Sequence, residues 1–489
     1  MKKIVIVGGG IAGLAAAYYT LERSEIPLEV SLLEQAGYWG GKIITERVDG
    51  ISQSGAFVIE GGPDTFVITK PWAARLCREL GIDHRLKGTN PETRATYILK
   101  NNRLHELPGG LTMMIPTEFG PMIRTGLLSW PAKARMGLDF ILPPAPLNGD
   151  ETLGAFVTRR LGRAAYENLI EPLMSGIYAG DGDRLSLQST FPFLRDLERE
   201  HGGLVRGALA LRKERLRKAQ GNGKGGGSRS IFLTPLDGLG EMVEVLVEHL
   251  AKAGVKMRLN TAVSKVSRIP GGFSVLLSSG EVLPADGLVL ATPSFASAEL
   301  VAGFAPELAE ELRPIEYVPT ATVTLAYRES ELPWPLDGYG YVIPRREGRK
   351  ALACTWTSTK FPHRAPEGFA LLRVFIGRAG QESEISWDEA SLLEIAREEL
   401  RLTLGIRAAP LLERVYSWEK AMPQYALGHP QRLERIEGRL SAYPGLALAG
   451  NAYQGIGIPD CIHSGETAAG AVLAALVMRE PAGREALSS

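Results

Sequence analysis

Three glycines at fixed spacing, Gly8-x-Gly10-x-x-Gly13, stand between a β-branched run, Ile4 to Val7, and an Ala/Leu-rich stretch, Ile11 to Leu21. Glycine at these positions permits a tight turn, lets backbone approach a pyrophosphate closely, and lets the following helix pack tightly. The amides of Ile11 and Ala12 then lie at a helix N-terminus, where the partial positive charge favours an anion. Beyond the turn-like Glu25-Ile26-Pro27, Leu28 to Leu33 reads as a second strand, and Glu34 at its end is placed to accept hydrogen bonds from ribose hydroxyls. Each part alone has an ordinary reading, a glycine-rich turn or a solvated strand end. In this order they make one βαβ unit that binds a dinucleotide.

The first turn does not separate FAD from NAD; two further elements do. Gly40-Gly41-Lys42 resembles the second glycine motif of two-dinucleotide-binding flavoproteins, in which the chain wraps an extended FAD. Tyr38 stands where those proteins carry a basic residue, so Lys42 is the nearby cation that could partly compensate; its ordinary reading is a surface lysine. Near the other end, Gly450-Asn451 and Gly455-Ile456-Gly457-Ile458-Pro459-Asp460 precede a small-residue helix expected over Ser464 to Ala475. Amides at such a helix start can stabilise negative charge near flavin N1 and O2, with Ile456, Gly457 and Ile458 the residues closest to it. Asn451 occupies a place where aspartate is common in flavoproteins.

The chain has 489 residues, about three domains at roughly 150 residues each. Lys+Arg and Asp+Glu are both 55, so net charge is zero and a nucleic-acid footprint has no support. Cys77, Cys354 and Cys461 lie far apart, against a disulfide framework or a structural zinc site, and a reducing cytoplasm fits. The apolar start lacks a signal-peptide cleavage site, and its glycines serve the phosphate turn. Leu111 to Leu142 is apolar but interrupted by Glu118, Arg124, Lys133, Arg135 and Asp139. It cannot span a bilayer, though it could lie on a membrane surface or line an apolar cavity.

Along the chain, a helix is expected from Thr69 to about Leu80, a hairpin over Ala95 to Leu107, and mostly helices over 111 to 215. Leu239 to Ala253 is an amphipathic helix, Lys256 to Ile269 and Gly272 to Ser278 are strands, and 320–327, 339–343, 351–357 and 370–376 suggest a mixed sheet. The expected fold class is α/β plus α+β: a Rossmann-like FAD-binding domain (1–65, 231–295, 411–489), a mixed-sheet substrate domain (66–95, 296–410) and a helical insertion (96–220). A Gly/Ser/Lys-rich linker, 221–230, follows the insertion and is expected to be mobile.

Three longer motifs extend the pattern: Glu60-Gly61-Gly62-Pro63-Asp64-Thr65-Phe66, the segment Asn168 to Asp181 (NLIEPLMSGIYAGD), and Trp418 to Tyr425 (WEKAMPQY). With these, nearly the whole chain resembles the Gram-positive type of protoporphyrinogen oxidase, now understood as coproporphyrinogen III oxidase, within the flavin amine oxidase superfamily. The resemblance implies that Gly62, Pro63, Asp64 and Thr65 pass near the isoalloxazine, that Val263 contacts the adenine side through its backbone, and that Trp418 packs beside the flavin. It places Lys70 at a propionate of the tetrapyrrole and Ile177 against the macrocycle. A lysine before Pro71 at a helix start is an equally ordinary reading for Lys70.

The implied reaction removes six electrons from a porphyrinogen in three two-electron steps, with FAD as acceptor and dioxygen reoxidising it to hydrogen peroxide. No histidine pair, paired carboxylate or Ser/His arrangement stands out as a general base. Proton loss is therefore expected to run from pyrrole nitrogens to solvent or into product-like tautomers. A flavin amine oxidase fits less well: no cysteine lies between Trp418 and Gly450 for covalent flavin attachment, and Thr320 to Tyr327 lacks the lysine such oxidases place near N5. FAD is thus expected to be non-covalent. The alternatives kept open are protoporphyrinogen IX as substrate and a flavin-binding sensor without turnover. A nicotinamide dehydrogenase would need a second glycine-rich βαβ unit, and none is apparent. The expected partners are a porphyrinogen, dioxygen and a haem-pathway enzyme receiving the product, in the cytoplasm with peripheral membrane contact.

Overall fold

The computed structural model describes residues 1–52, 55–112, 115–145, 149–221 and 230–478. Residues 222–229, most of the expected linker, lie outside the described residues. Lys2–Val7, Ile11–Glu22 and Leu28–Leu33 form the expected strand, helix and strand. The two strands pair in parallel from Lys2 with Leu28 to Val7 with Leu33. Lys256–Arg258, Gly287–Leu290 and Leu446–Leu448 complete a five-stranded parallel sheet. Its central strands are apolar and buried on both faces, as a parallel sheet covered on both sides requires.

One face is covered by Ile11–Glu22, Leu239–Lys252 and the long terminal helix Ile458–Met478. The other carries the antiparallel strands Val263–Ile269, Gly272–Leu277 and Val282–Ala285 and the helices Ser294–Val301, Pro306–Leu312 and His429–Leu440. The single strand expected over 256–269 is therefore two strands in different sheets. Asn260, left-handed at φ 51°, makes the break.

The terminal helix starts at Ile458, six residues before the expected Ser464. Glycine and proline read as a loop, yet Pro459 fits the first turn, where its missing N–H leaves no bond unmade. Ile458–Met478 is long and apolar enough to cross a membrane. Here it packs on the first helix so tightly that a Cβ on Gly465 would lie 2.2 Å from the Ala12 carbonyl oxygen.

A seven-stranded mixed sheet forms the second body. Its order runs Leu412–Pro423, Tyr317–Arg328, Phe369–Ile376, Ala351–Trp356, Gly338–Val342, Ala95–Lys100, Arg103–Glu106. The hairpin Ala95–Glu106, expected to open the helical insertion, is one edge of this sheet. Leu412–Pro423, expected in the nucleotide-binding domain, is the other edge and pairs with Tyr317–Arg328. Both pair backbone to backbone with a neighbouring strand of this sheet, so pairing overrides their place in the chain. Helix Glu389–Leu404 covers one face.

The helices between Phe119 and Gly221 enclose their own core around Phe156, Leu169, Met174 and Leu194. Within it, Tyr166–Ile170 widens to a π turn before Glu171–Tyr178, overlapping the start of the motif Asn168 to Asp181.

Candidate cofactor and active site

The two N-terminal glycine motifs form one surface. Gly40 N donates to Gly9 O at 2.9 Å, and Gly10 and Gly40 bridge as parallel strands. The glycines there do different work. A Cβ on Gly13 would sit 1.8 Å from Gly8 O, and one on Gly8 2.6 Å from Ala291 O, so both are required by packing. A Cβ on Gly10 would meet only Gly41 Cα, at 4.0 Å. Gly10 thus borders open space beside the Ile11–Glu22 helix start, whose cap Gly10 supplies no side-chain acceptor. The amides of Ile11, Ala12 and Gly13 lie in the first turn, where no intrahelical carbonyl reaches them. This is the cradle a pyrophosphate fits.

Glu34 lies beside it, its carboxylate accepting from Gly9 N at 2.6 Å and Ala36 N at 2.8 Å. The 258–263 loop runs alongside: Glu34 N donates to Arg258 O at 2.9 Å and Thr261 N to Glu34 O at 2.8 Å. Val263 follows at a β-bulge, half-buried. Lys42 does not point a free cation into the cradle. Its Nζ donates to Ala421 O at 2.7 Å, and desolvation lowers the ammonium's pKa.

The C-terminal motif folds as a turn into a helix. Gly457 O accepts from Cys461 N at 2.9 Å, leaving Ile458 and Asp460 in the first turn. Tyr425 fixes the loop: its hydroxyl donates to Asn451 O at 2.7 Å and accepts from Gly455 N at 2.9 Å. Its ring stacks on His429 at 4.3 Å, and burial drives its phenol pKa well up. Tyr425 lies in a motif noted above, but its role depends on partners about 25 residues away and was not legible. Burial pushes the Cys461 thiol up to about 12, so it stays protonated at neutral pH.

Segment Glu60 to Thr65 is held by buried charge. A Cβ on Gly62 would lie 1.8 Å from Lys42 O, and one on Gly61 2.8 Å from the Tyr416 ring. Thr322 Oγ1 donates to Gly61 O at 2.6 Å, and Arg373 donates to Gly61 O at 3.1 Å and also to Gly62 O. Asp64 pairs with Lys360 at 3.3 Å and accepts from Thr65 Oγ1 at 3.1 Å. Burial raises its pKa, but Lys360 and Arg373 outweigh that and leave it at about 2. Trp418 is half-buried on the adjoining strand, opposite Thr320 and stacked with Tyr416.

Lys70 and Ile177 have different surroundings. Lys70 Nζ donates to both Asp460 oxygens, at 2.6 and 2.8 Å, tying it to the start of the terminal helix. Its charge is already matched. Ile177 is 48% exposed on Glu171–Tyr178, which docks on the mixed sheet through Arg345 N donating to Glu171 at 3.1 Å. Arg373, Thr322, Lys360, Tyr425 and the pairing of Asp460 are the features that sequence reasoning missed.

Comparison with known proteins agrees with this fold. Residues 11–473 match the model of the family described as flavin containing amine oxidoreductase. The chain is 39% identical to the coproporphyrinogen III oxidase of Bacillus subtilis (strain 168), over 96% of this chain and 97% of that one. It is 30% identical to human protoporphyrinogen oxidase, over 96% and 98%. A crystal structure of a candidate protoporphyrinogen oxidase from Exiguobacterium sp. 255-15 superposes with TM-score 0.83 and 33% identity, covering 97% of this chain and 99% of that one. With a family match across nearly its whole length, this chain belongs to the flavin-containing amine oxidoreductase family.

Proposed function

We propose that the protein oxidises coproporphyrinogen III to coproporphyrin III with FAD and dioxygen. The observation that carries this reading is the 39% identity over 96% of the chain to a coproporphyrinogen III oxidase. When bound, FAD accepts electrons from the porphyrinogen in pairs and is reoxidised by dioxygen, three times per product.

The chain's own groups divide the remaining work. Gly8, Gly10, Gly13 and Gly41 with the Ile11 and Ala12 amides cradle the pyrophosphate, and Glu34 accepts from a ribose. The Val263 backbone borders the adenine side. Gly62, Pro63, Asp64 and Thr65 form a rigid wall beside the ring, with Trp418 next to it, because Arg373 and Thr322 hold the wall's carbonyls. The amides of Ile456, Gly457 and Ile458, at the start of the terminal helix, carry helix-terminal positive charge toward developing negative charge. Ile177 offers apolar surface to a macrocycle. Lys70 meets a propionate only by sharing or exchanging Asp460. Lys42, bound to Ala421 O, supports the Trp418 strand in place of a phosphate.

The three-part division expected from sequence fits this scheme with two adjustments: the 95–106 hairpin and the 412–423 strand go with the substrate sheet. Exposed Ile123, Trp130, Leu138 and Ile141 on the helical part suit peripheral contact with a membrane from the cytoplasm, or with the enzyme that takes the product.

Anaerobic mixing of the FAD-loaded protein with coproporphyrinogen III tests the reading. Bleaching of the flavin absorbance, with porphyrin fluorescence appearing, is expected. Bleaching by putrescine but not by the porphyrinogen would overturn it.

A further inference from the structure

Behind the Gly61–Thr65 wall lies a small, partly open chamber of about 10 Å³, room for a single small molecule or ion. Its polar lining is Glu60, Asp64, Thr324, Thr357, Arg364 and Arg373. Arg364 and Arg373 are 1% and 2% exposed. Thr324 Oγ1, Thr357 Oγ1, Arg364 Nη1 and Arg373 Nε and Nη1 are buried and have no hydrogen-bond partner among the described residues. Such concentration of bare donors is unusual, since buried polar groups are nearly always paired.

The acceptors nearby are engaged. Glu60 accepts from Thr45 Oγ1 at 2.6 Å and Leu239 N at 2.8 Å and lies 3.1 Å from Arg364 Nη2, while Asp64 is held by Lys360 and Thr65. Three cations, Lys360, Arg364 and Arg373, face two carboxylates, Glu60 and Asp64, leaving one positive charge in excess. Water could donate only to the two threonine hydroxyls or to carboxylates already engaged, and it carries no charge. A monovalent anion accepts from the free guanidinium N–H groups and both hydroxyls and cancels the excess.

We propose that the chamber is a binding site for one chloride-sized anion. Arg373 joins it to the flavin wall, because its Nη2 also donates to Gly61 O and Gly62 O. The ion completes the bonding of the guanidinium that holds those carbonyls. The assignment does not depend on which substrate the enzyme takes.

The test uses FAD-loaded protein purified and crystallised with bromide as the only halide, with diffraction recorded at the bromine edge. An anomalous peak between Arg364 and Arg373 is expected. In parallel, Tm is followed at constant ionic strength as chloride replaces gluconate, and a saturating rise is expected. The Thr324→Val/Thr357→Val double variant should need at least tenfold more chloride for the same rise. A chamber without a bromide peak overturns the assignment.

Discussion

The glycine cradle and the Glu60–Thr65 wall both fix backbone in place, by opposite means. The cradle is built from missing side chains: Gly8 and Gly13 are pressed onto backbone carbonyls, and Gly10 is left open. The wall is built from added charge, with Arg373 and Arg364 buried among Glu60, Asp64 and Lys360. A region made by close approach tolerates no added atom, whereas one made by buried charge tolerates no removed partner.

The largest expected effect is on the cradle. In Gly13→Val the new Cβ meets Gly8 O at 1.8 Å, and the overpacking costs about 3 kcal/mol or more. Flavin content per chain should fall to near zero, against a wild type near full occupancy by absorbance. Close behind stands Arg373→Met, which leaves Gly62 O without its guanidinium donor and costs about 1–3 kcal/mol in chemical denaturation. Its bound flavin should remain but lose its sharp spectral structure. Were Gly13→Val mild and Arg373→Met neutral, the contrast between the regions would collapse.

A smaller effect is expected for Glu34→Gln, which weakens two charge-assisted bonds, at 2.6 and 2.8 Å. FAD affinity by titration should fall roughly tenfold, about 1.4 kcal/mol, with the fold retained.

The smallest effects are pH dependences. Asp64 has a folded pKa near 2, below the usual carboxylate value of 3.8, so its stabilisation is present above about pH 4. It is lost as pH falls toward 2, so wild type and Asp64→Asn should converge in stability over that window. His363 is displaced downward to about 4 by burial first, then by Arg364 and Lys87. The unfolded chain takes up that proton first, so folding weakens as pH falls from about 6.5 to 4. His363→Gln should flatten that part of a pH–Tm curve.

The same contrast explains what sequence could convey. Gly8, Gly10, Gly13 and Glu34 lie within one βαβ unit, so their spacing states their geometry. Arg373 acts on Gly61 and Gly62 from about 310 residues away, and Asp460 reaches Lys70 across 390. No local pattern carries those pairings. Lys42 and Lys70 were expected to serve a phosphate and a propionate, but the fold supplies each with an internal acceptor. The terminal helix began early because Pro459, read as a loop signal, is at home in a first turn.

The most direct test of the central claim is the initial rate of FAD-loaded protein on coproporphyrinogen III and protoporphyrinogen IX in parallel, following porphyrin fluorescence and hydrogen peroxide together. The account predicts faster turnover of coproporphyrinogen, with three peroxides per porphyrin. Preference for protoporphyrinogen, or inactivity on both with flavin fully bound, would contradict it.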